Sequence, residues 1–519
     1  MAYQGQTYII DCSRGGFSHN PNPDAIRPVD FIHPSRNINL HRNGRGKRGG
    51  TSKVNATAID SGARIVGVYD FTLENSTQFV MKATANGKLY KNNTDTIKTG
   101  MSTVNKFWFE NFENELYICD GDTVPQTWDG SAGATSAITN PAAEWAAGNE
   151  PRYMVAHGRN LSKRMVAFGV DNDPKSVWLS ANGNGKEFVT GVVKIVIETR
   201  DAWGIVGGIE IGEQMVLFGR KKPYALVDSD EDSTNWGYAP MQWEGGAAHQ
   251  RLIVKTPNDV HVMDETGNIY SISAVQNFGD YQVASLTKPA WLDKWIKDYV
   301  DLAYIDDFHA CYDPVLRCVD WSIVRSGQTQ VDTALRFFID RPVDEAWTVV
   351  DNQSYNSGYK ASCSTLVRTG AGTYKRYNGD YSGFIWELET ASYNDDSNPY
   401  YGGFKIGYLN LENPRTRKHF RRLRILTRPE GNYSLAYSWW LDGNSKTAGT
   451  ISLLGTGGVL GSFVLNTSLL GGIELIDKEG ELEDVGKRAA FELYNSTVNQ
   501  GFFISQVMID HTPLGAIFG

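Results

Sequence analysis

Asp228-Ser-Asp-Glu-Asp-Ser233 opens as a calcium loop does, with carboxylates at alternate positions. It then departs from that pattern. Ser233 stands where the sharp turn needs glycine, and Ala239 where a glutamate would grip the ion with both oxygens. Gly455–Gly461 is glycine-rich, yet it lacks the GxGxxG spacing and no strand-to-helix unit surrounds it. The nine histidines are scattered, with no pair at metal-ligand spacing. His157 and His249 each sit near the start of a repeat and read as satisfied turn residues. Asp and Glu crowd the loops, as a glycosidase would need, but no pair stands out. The reading is a protein that is not an enzyme, with no catalytic residue, no metal and no cofactor.

What the sequence does concentrate is positive charge, in two islands. Between Asp30 and Asp60 there is no acidic residue, and Arg36, Arg42, Arg45, Lys47, Arg48 and Lys53 fill the gap. The tightest part is Asn43-Gly-Arg-Gly-Lys-Arg-Gly-Gly-Thr51. It reads either as a loop gripping an acidic partner surface or phosphate, or as a solvated loop. The second island is Arg417, Lys418, Arg421, Arg422 and Arg424. In Arg421–Thr427, Leu423 and Ile425 share one face while Arg422 and Arg424 share the other. That alternation describes a half-buried strand with a basic outer face. Both islands are candidate subunit or partner contacts.

The elements that must position these residues are short strands. His249–Ala274 holds three in a row: Leu252–Lys255, Asp259–Met263 and Ile269–Ser273. Thr256-Pro-Asn258 breaks the first pair, because proline fixes φ and donates no hydrogen bond. Asp264–Asn268 breaks the second, and Gly267 takes positive φ without steric penalty. The same build recurs at Arg64–Lys91, Phe107–Gly130, Tyr153–Ser180, Ile205–Leu226, Phe308–Val350 and Cys363–Glu389. That is about seven copies at a period of roughly 45–55 residues, the range of propeller blades. The last strand of most copies carries an aromatic residue. The fold class is all-β: a β-propeller over 64–400, preceded by an extended arm over 1–63 and followed by a β-sandwich-like domain over 401–519. The arm is expected to lie on its own propeller or on a neighbour.

One amphipathic helix is predicted over 286–303. Leu292, Trp295, Ile296, Tyr299 and Val300 share a face, Pro289 suits the first turn, and Thr287 is a candidate N-cap. Its tryptophans are expected to cover the outer edge of a blade, or to form a docking surface for a subunit. Leu435–Leu441, Phe491–Leu493 and Phe502–Ile509 supply further strands of the sandwich. Ile451–Ile473 carries no charge and is rich in leucine and glycine. It reads as a buried hairpin or, less simply, a membrane-active segment.

Net charge is −9, which argues against a sequence-independent DNA clamp and suits a surface past which DNA slides. Cys12, Cys119, Cys311, Cys318 and Cys363 form no CxxC, so free thiols in a reducing compartment are expected. Cys311 and Cys318 flank a probable hairpin and would be close in space. The N-terminus reads as polar, without a signal segment, and no apolar run is long enough for a membrane helix.

The basic segment Asn43–Asn55, with Lys-Arg-Gly-Gly-Thr-Ser-Lys-Val-Asn, resembles the entry segment of tail nozzle (tail hub) proteins of short-tailed bacteriophages, also called packaged-DNA stabilisation proteins. Gly87-Lys-Leu-Tyr90, Ile205–Gly219, the helix Ala284–Tyr299, Lys418–Ile425 and Gly486–Leu493 look similar too. The Leu/Gly-rich segment departs from the family pattern. The resemblance implies a structural virion protein of the tail, assembled in the host cytoplasm. Such a protein forms a six-fold homo-oligomeric ring below the portal-adaptor protein. It lines the DNA exit channel without sequence-specific binding, retains packaged DNA, and carries fibre, spike or needle proteins. Two alternatives stay open: a fibre- or receptor-binding tail protein, and a non-viral propeller that binds a small ligand or sugar at its central channel.

Overall fold

The structure is a computed structural model that describes residues 5–22, 25–131, 133–159, 162–199, 202–228, 232–277, 280–351, 360–411, 413–454 and 475–516. Nearly all of its regular structure is strand. Seven four-stranded antiparallel sheets follow one another along the chain. They are blades 1 to 7 of a β-propeller, beginning at Ile65, Trp108, Tyr153, Ile205, Ile253, His309 and Cys363. The seven repeats of the sequence are these seven blades. The first strands of neighbouring blades lie against each other and form the inner ring.

Blade 5 shows why the local sequence folds this way. Ile253–Lys255, Asp259–Met263, Ile269–Asn277 and Asp280–Ser285 pair in order. Thr256 closes the first turn, its Oγ1 donating to the Asp259 carbonyl at 2.8 Å. In the second turn the Asp264 carboxylate accepts from the N–H groups of Thr266 and Asn268, both at 2.9 Å. Gly267 sits at φ 81°, as a turn of this shape requires. The fourth, outermost strand of most blades is short or polar and carried little signal in the sequence, whereas that of blade 6, Trp347–Asp351, is buried throughout.

Gaps between radially arranged blades widen outward, so they need large side chains away from the axis. Trp128, Trp178, Trp347 and Trp386 meet that need in blades 2, 3, 6 and 7, and all four are buried. Trp128 packs on Phe79 of blade 1 with ring centroids 4.8 Å apart. Truncating such a residue costs about 3–5 kcal/mol.

Blade 7 is closed by the N-terminus. Cys363–Gly370, Thr373–Gly379 and Ile385–Thr390 supply three strands, and Gly50–Lys53 of the arm supplies the fourth. The arm serves the C-terminal domain as well. Gln6–Asp11 and Gly44–Lys47 pair with Phe503–Ala516, and Ile38–His41 pairs with Gly44–Lys47. Phe503–Ala516 then pairs with Thr416–Thr427, and that strand with Ile476–Gly486. Phe31–Arg36 joins the opposing sheet through Gly402–Leu409, followed by Ala489–Asn495 and Ser434–Leu441. The C-terminal domain is thus two six-stranded sheets, each completed by the arm. One continuous apolar core joins arm, sandwich and blades 5 and 6, including Phe17, Phe31, Trp295, Trp347, Phe404 and Leu423. Of the two places open to the arm, it occupies the one on its own chain.

The α-helix is shorter than predicted, Leu292–Tyr299. The turn Lys288–Ala290 precedes it, and Trp291 separates the two at φ 58°. Thr287 makes no side-chain cap. Leu292, Trp295 and Ile296 are buried as the periodicity requires. Trp295 packs edge-on against Phe17, so the arm covers it, and Trp291 is 43% exposed. Cys311 and Cys318 lie on paired strands two residues out of register, and all five cysteines are free thiols. Most of the Leu/Gly-rich segment, 455–474, lies outside the described residues, as do 229–231 of the calcium-like loop. Among the described residues no helix is long and apolar enough to cross a membrane.

Candidate functional site

The basic segment of the arm turns mostly inward. Glycines at 44 and 46 let Gly44–Lys47 run tight against Phe503–Ala516: a Cβ at Gly44 would stand 2.4 Å from the Ile504 carbonyl oxygen. Arg45 is consequently enclosed. Its guanidinium lies 4.8 Å from the Phe31 ring and 5.2 Å from Phe404, and donates to the carbonyls of Arg14 and Val29. Lys47 donates to Asn495 Oδ1 at 3.3 Å and the Gln500 carbonyl at 3.1 Å. Burial pushes its amine down to about 7. Arg48 forms a two-pronged pair with Asp395, at 3.0 and 2.6 Å, and stacks 4.1 Å from the Tyr400 ring.

Arg45, Lys47 and Arg48 are therefore not partner contacts. They are too enclosed to touch another molecule, and they bind their own chain. The alternation of charge-rich and small residues that suggested an exposed loop is a strand whose cations are fed into buried sites. Lys418 is a correction of the same kind. It is 1% exposed and donates to the carbonyls of Asn413, Thr416 and Lys487 at 2.6–3.1 Å.

The remaining cations of the two islands reach the surface. Arg42 is exposed at the tip of a hairpin, and Lys53 pairs with Asp396 at 2.9 Å. Leu423 and Ile425 are buried while Arg422 and Arg424 face outward, as the alternation requires. That face is not bare. Arg422 meets Glu479 at 3.1 Å and Arg424 meets Asp477, both acids lying on the neighbouring strand Ile476–Gly486. Arg417 and Arg421 stay exposed.

A different cluster forms at one mouth of the propeller. A cavity of about 360 Å³ opens where the first strands begin. Arg64, Lys106, Arg152 and Arg251 line it, each one or two residues ahead of the first strand of its blade. Arg220 and Trp203 come from blade 4, and their side chains stack with the guanidinium carbon 4.0 Å from the ring. Gly204 makes this placement feasible. It sits at φ 66°, and a Cβ there would strike the Pro174 carbonyl oxygen at 1.9 Å.

The carboxylates at this mouth are largely engaged. Asp307 pairs with Arg64 and lies 3.2 Å from the Lys106 amine. Those cations hold its carboxyl below the usual range. Asp171 pairs with Arg152 at 2.9 Å. Asp120 accepts from the N–H groups of Ser102, Asp122 and Thr123. Lys106 is buried, and burial together with Arg251 lowers its amine to about 7. His249 and His309, buried behind it, are held neutral by burial first and then by Arg251 and Lys106. His249 bonds the Ile305 carbonyl at 2.9 Å.

The sequence reading missed this cluster, because its members are dispersed over almost 190 positions. One signal was present: superposing the seven repeats puts a cation just ahead of the first strand in blades 1, 2, 3 and 5. His157 was also misplaced by the sequence. It lies within the first strand of blade 3, buried, and bridges Glu210 at 3.1 Å and Asp228 at 2.7 Å of blade 4. Among the described residues no group of His, Cys, Asp and Glu is arranged to hold a metal ion.

No family model matches the sequence, and no curated protein matches it. Among solved structures, YCF48 from Cyanidioschyzon merolae is 9% identical, with a TM-score of 0.41 over 66% of this chain and 99% of its own. BBS1N in complex with ARL6DN is 11% identical, with a TM-score of 0.41 over 67% of this chain and 99% of its own. The designed protein Ika8 is 10% identical, with a TM-score of 0.35 over 64% of this chain and 98% of its own. The propeller assignment rests on the seven sheets themselves.

Proposed function

We propose that the chain is a structural virion protein, a nozzle or hub subunit in the tail of a short-tailed bacteriophage. In this role it forms a closed ring, lines the DNA exit channel, retains packaged DNA and joins the portal-adaptor to distal tail proteins. The observation that carries the proposal is the course of the arm. The segment Asn43–Asn55, one of those that carry the resemblance, completes both the sandwich and blade 7. It is locked there by Arg48–Asp395 and by Glu389, which accepts from the Gly49 N–H at 2.9 Å and is itself held by the buried Arg336 of blade 6 at 2.6 Å. A subunit interlocked in this way transmits load between its two domains without a hinge, as a pressurised conduit demands. The net charge of −9 suits a lumen through which DNA slides.

Ring closure requires heterologous contacts between different faces of neighbouring subunits. Of the two basic islands, Arg42, Arg417 and Arg421 are exposed and suit such a contact. The test is the mass of the full-length protein by light scattering, alone and with a portal-adaptor complex, followed by electron microscopy. Six-fold rings are expected, and R417E/R421E is expected to abolish them while keeping the melting temperature. A chain that stays monomeric at all concentrations and does not bind the adaptor complex sinks the proposal. The mouth cavity favours a second reading, a propeller that binds a small ligand at its channel; that reading expects a monomer.

A further inference from the structure

We propose that the propeller mouth is a binding site for a small organic oxyanion, a carboxylate or phosphate carried on a flat or apolar body. Arg220 and Arg251 supply the charge, and Trp203 and Val104 the apolar rim. The inference deepens the second reading, that the channel mouth binds a small ligand, and does not depend on the ring reading.

The first observation is uncompensated charge. Of the cations that line the cavity, Arg64, Lys106 and Arg152 have carboxylate partners. Among the described residues Arg220 and Arg251 have none. Arg220 has its stack on Trp203, and Arg251 donates to the Asp306 carbonyl at 2.6 Å. The Nε–H groups of both are buried and make no hydrogen bond. A buried donor without a partner is costly, and a guanidinium offers its donors in a fork that fits an oxyanion.

The second observation is that these charges converge. Arg220, Arg251 and Lys106 line one cavity together with His249, and after burial itself they help to keep its imidazole neutral. Asp120, Asp171, Asp306 and Asp307 line the same cavity, but none of them forms an ion pair with Arg220 or Arg251 among the described residues. The structure spends no internal carboxylate on Arg220 and Arg251, although it supplies one for Arg64, Lys106 and Arg152 at the same mouth.

The third observation concerns the body of the ligand. Val104 is 87% exposed and Trp203 58% exposed, and both line this cavity. Large exposed apolar groups beside a cationic cavity fit a ligand that has an apolar face next to its anionic group. A bare inorganic anion would leave both uncovered. The volume of about 360 Å³ accommodates a ring bearing one or two oxyanions.

The test is calorimetric titration of the full-length protein at low ionic strength with phthalate, phenyl phosphate and inorganic phosphate. Phthalate and phenyl phosphate present the same ring on the two oxyanions, so their ranking identifies which one the site takes. Saturable one-to-one binding is expected for at least one of them, tighter than for inorganic phosphate. R220Q/R251Q is expected to weaken it by about tenfold or more, since charge-assisted bonds of this kind are strong. W203A is expected to narrow the gap between the ring-bearing anion and inorganic phosphate. R422Q on the sandwich serves as the control and should bind as wild type does. R220K keeps the charge but removes the fork, and stands in if the double variant does not fold. The proposal is overturned by the absence of saturable binding with all three probes, or by affinity unchanged in R220Q/R251Q or, in its place, R220K. It is equally overturned if inorganic phosphate binds as tightly as the ring-bearing anions.

Discussion

His157 ties protonation to the cohesion of two blades. Burial alone would lower its pKa, but the carboxylates of Asp228 and Glu210 outweigh it and the net shift is upward. A raised folded-state pKa means that the stabilisation is complete below the unfolded value near 6.5 and is lost as pH rises through the folded value. H157Q should therefore melt well below wild type at pH 6, with the gap closing toward pH 9; a gap that widens with pH rejects this account. Glu110, on the first strand of blade 2, works in the same direction for a different reason. Burial pushes its carboxyl up to about 8, against one hydrogen bond from the Ala156 N–H at 3.3 Å. The folded state favours the protonated acid, so stability is lost as pH climbs from about 4.5 to about 8. E110Q should raise the melting temperature by about 1–3 °C at pH 8 and leave it unchanged at pH 4. Neither residue was readable as a titrating group in the sequence, because each shift comes from neighbours that are distant along the chain.

The arm is the element on which the architecture depends. Its pairings place the fourth strand of blade 7 and strands of both sandwich sheets. Deleting 1–63 leaves three unpaired sheet edges and opens the apolar core around Phe17 and Phe31. The truncated chain is expected to be insoluble or to lack a cooperative melt, so truncation is not a clean test of assembly. A cooperative melt within a few degrees of wild type would show that the pairings are dispensable. The Arg48–Asp395 pair is the local anchor. D395A leaves a buried guanidinium without its anion and should cost about 3–5 kcal/mol. R48M/D395L removes both charges and should recover most of that loss, as calorimetry or chemical denaturation can show. The strand alternation was legible from Arg422 to Ile425, with Leu423 and Ile425 inside and Arg422 and Arg424 outside, whereas the buried Lys418 and the register shift between Phe420 and Arg422 were not. The helix was legible in its buried face and not in its length. Trp291 breaks it at a left-handed φ, a choice made by packing and not by propensity.

At the scale of the whole molecule, one chain builds seven blades and a sandwich that cannot part without tearing the arm from both. If the chain is a ring subunit, ring formation should weaken with added salt, because exposed Arg417 and Arg421 would be paired with acids across the interface. Sedimentation at rising salt measures this, and rings indifferent to ionic strength would remove those arginines from the contact. The sequence by itself determined the strand-turn rhythm, a repeat number of about seven and the buried face of the strand around Leu423 and Ile425. These follow from period-two alternation and turn chemistry, which act over a few residues. It also marked where charge accumulates. Only the tertiary structure decided what that charge does. Arg45, Lys47, Arg48 and Lys418 are drawn into buried sites because sheets formed by distant segments supply carbonyls and carboxylates there. Arg64, Lys106, Arg152 and Arg251 are brought to a shared cavity because propeller closure turns one recurring position into a ring, and Arg220 reaches the same cavity from a turn of blade 4. Local sequence sets a residue's face on its strand, whereas the partner across that face is set by chain segments hundreds of positions away.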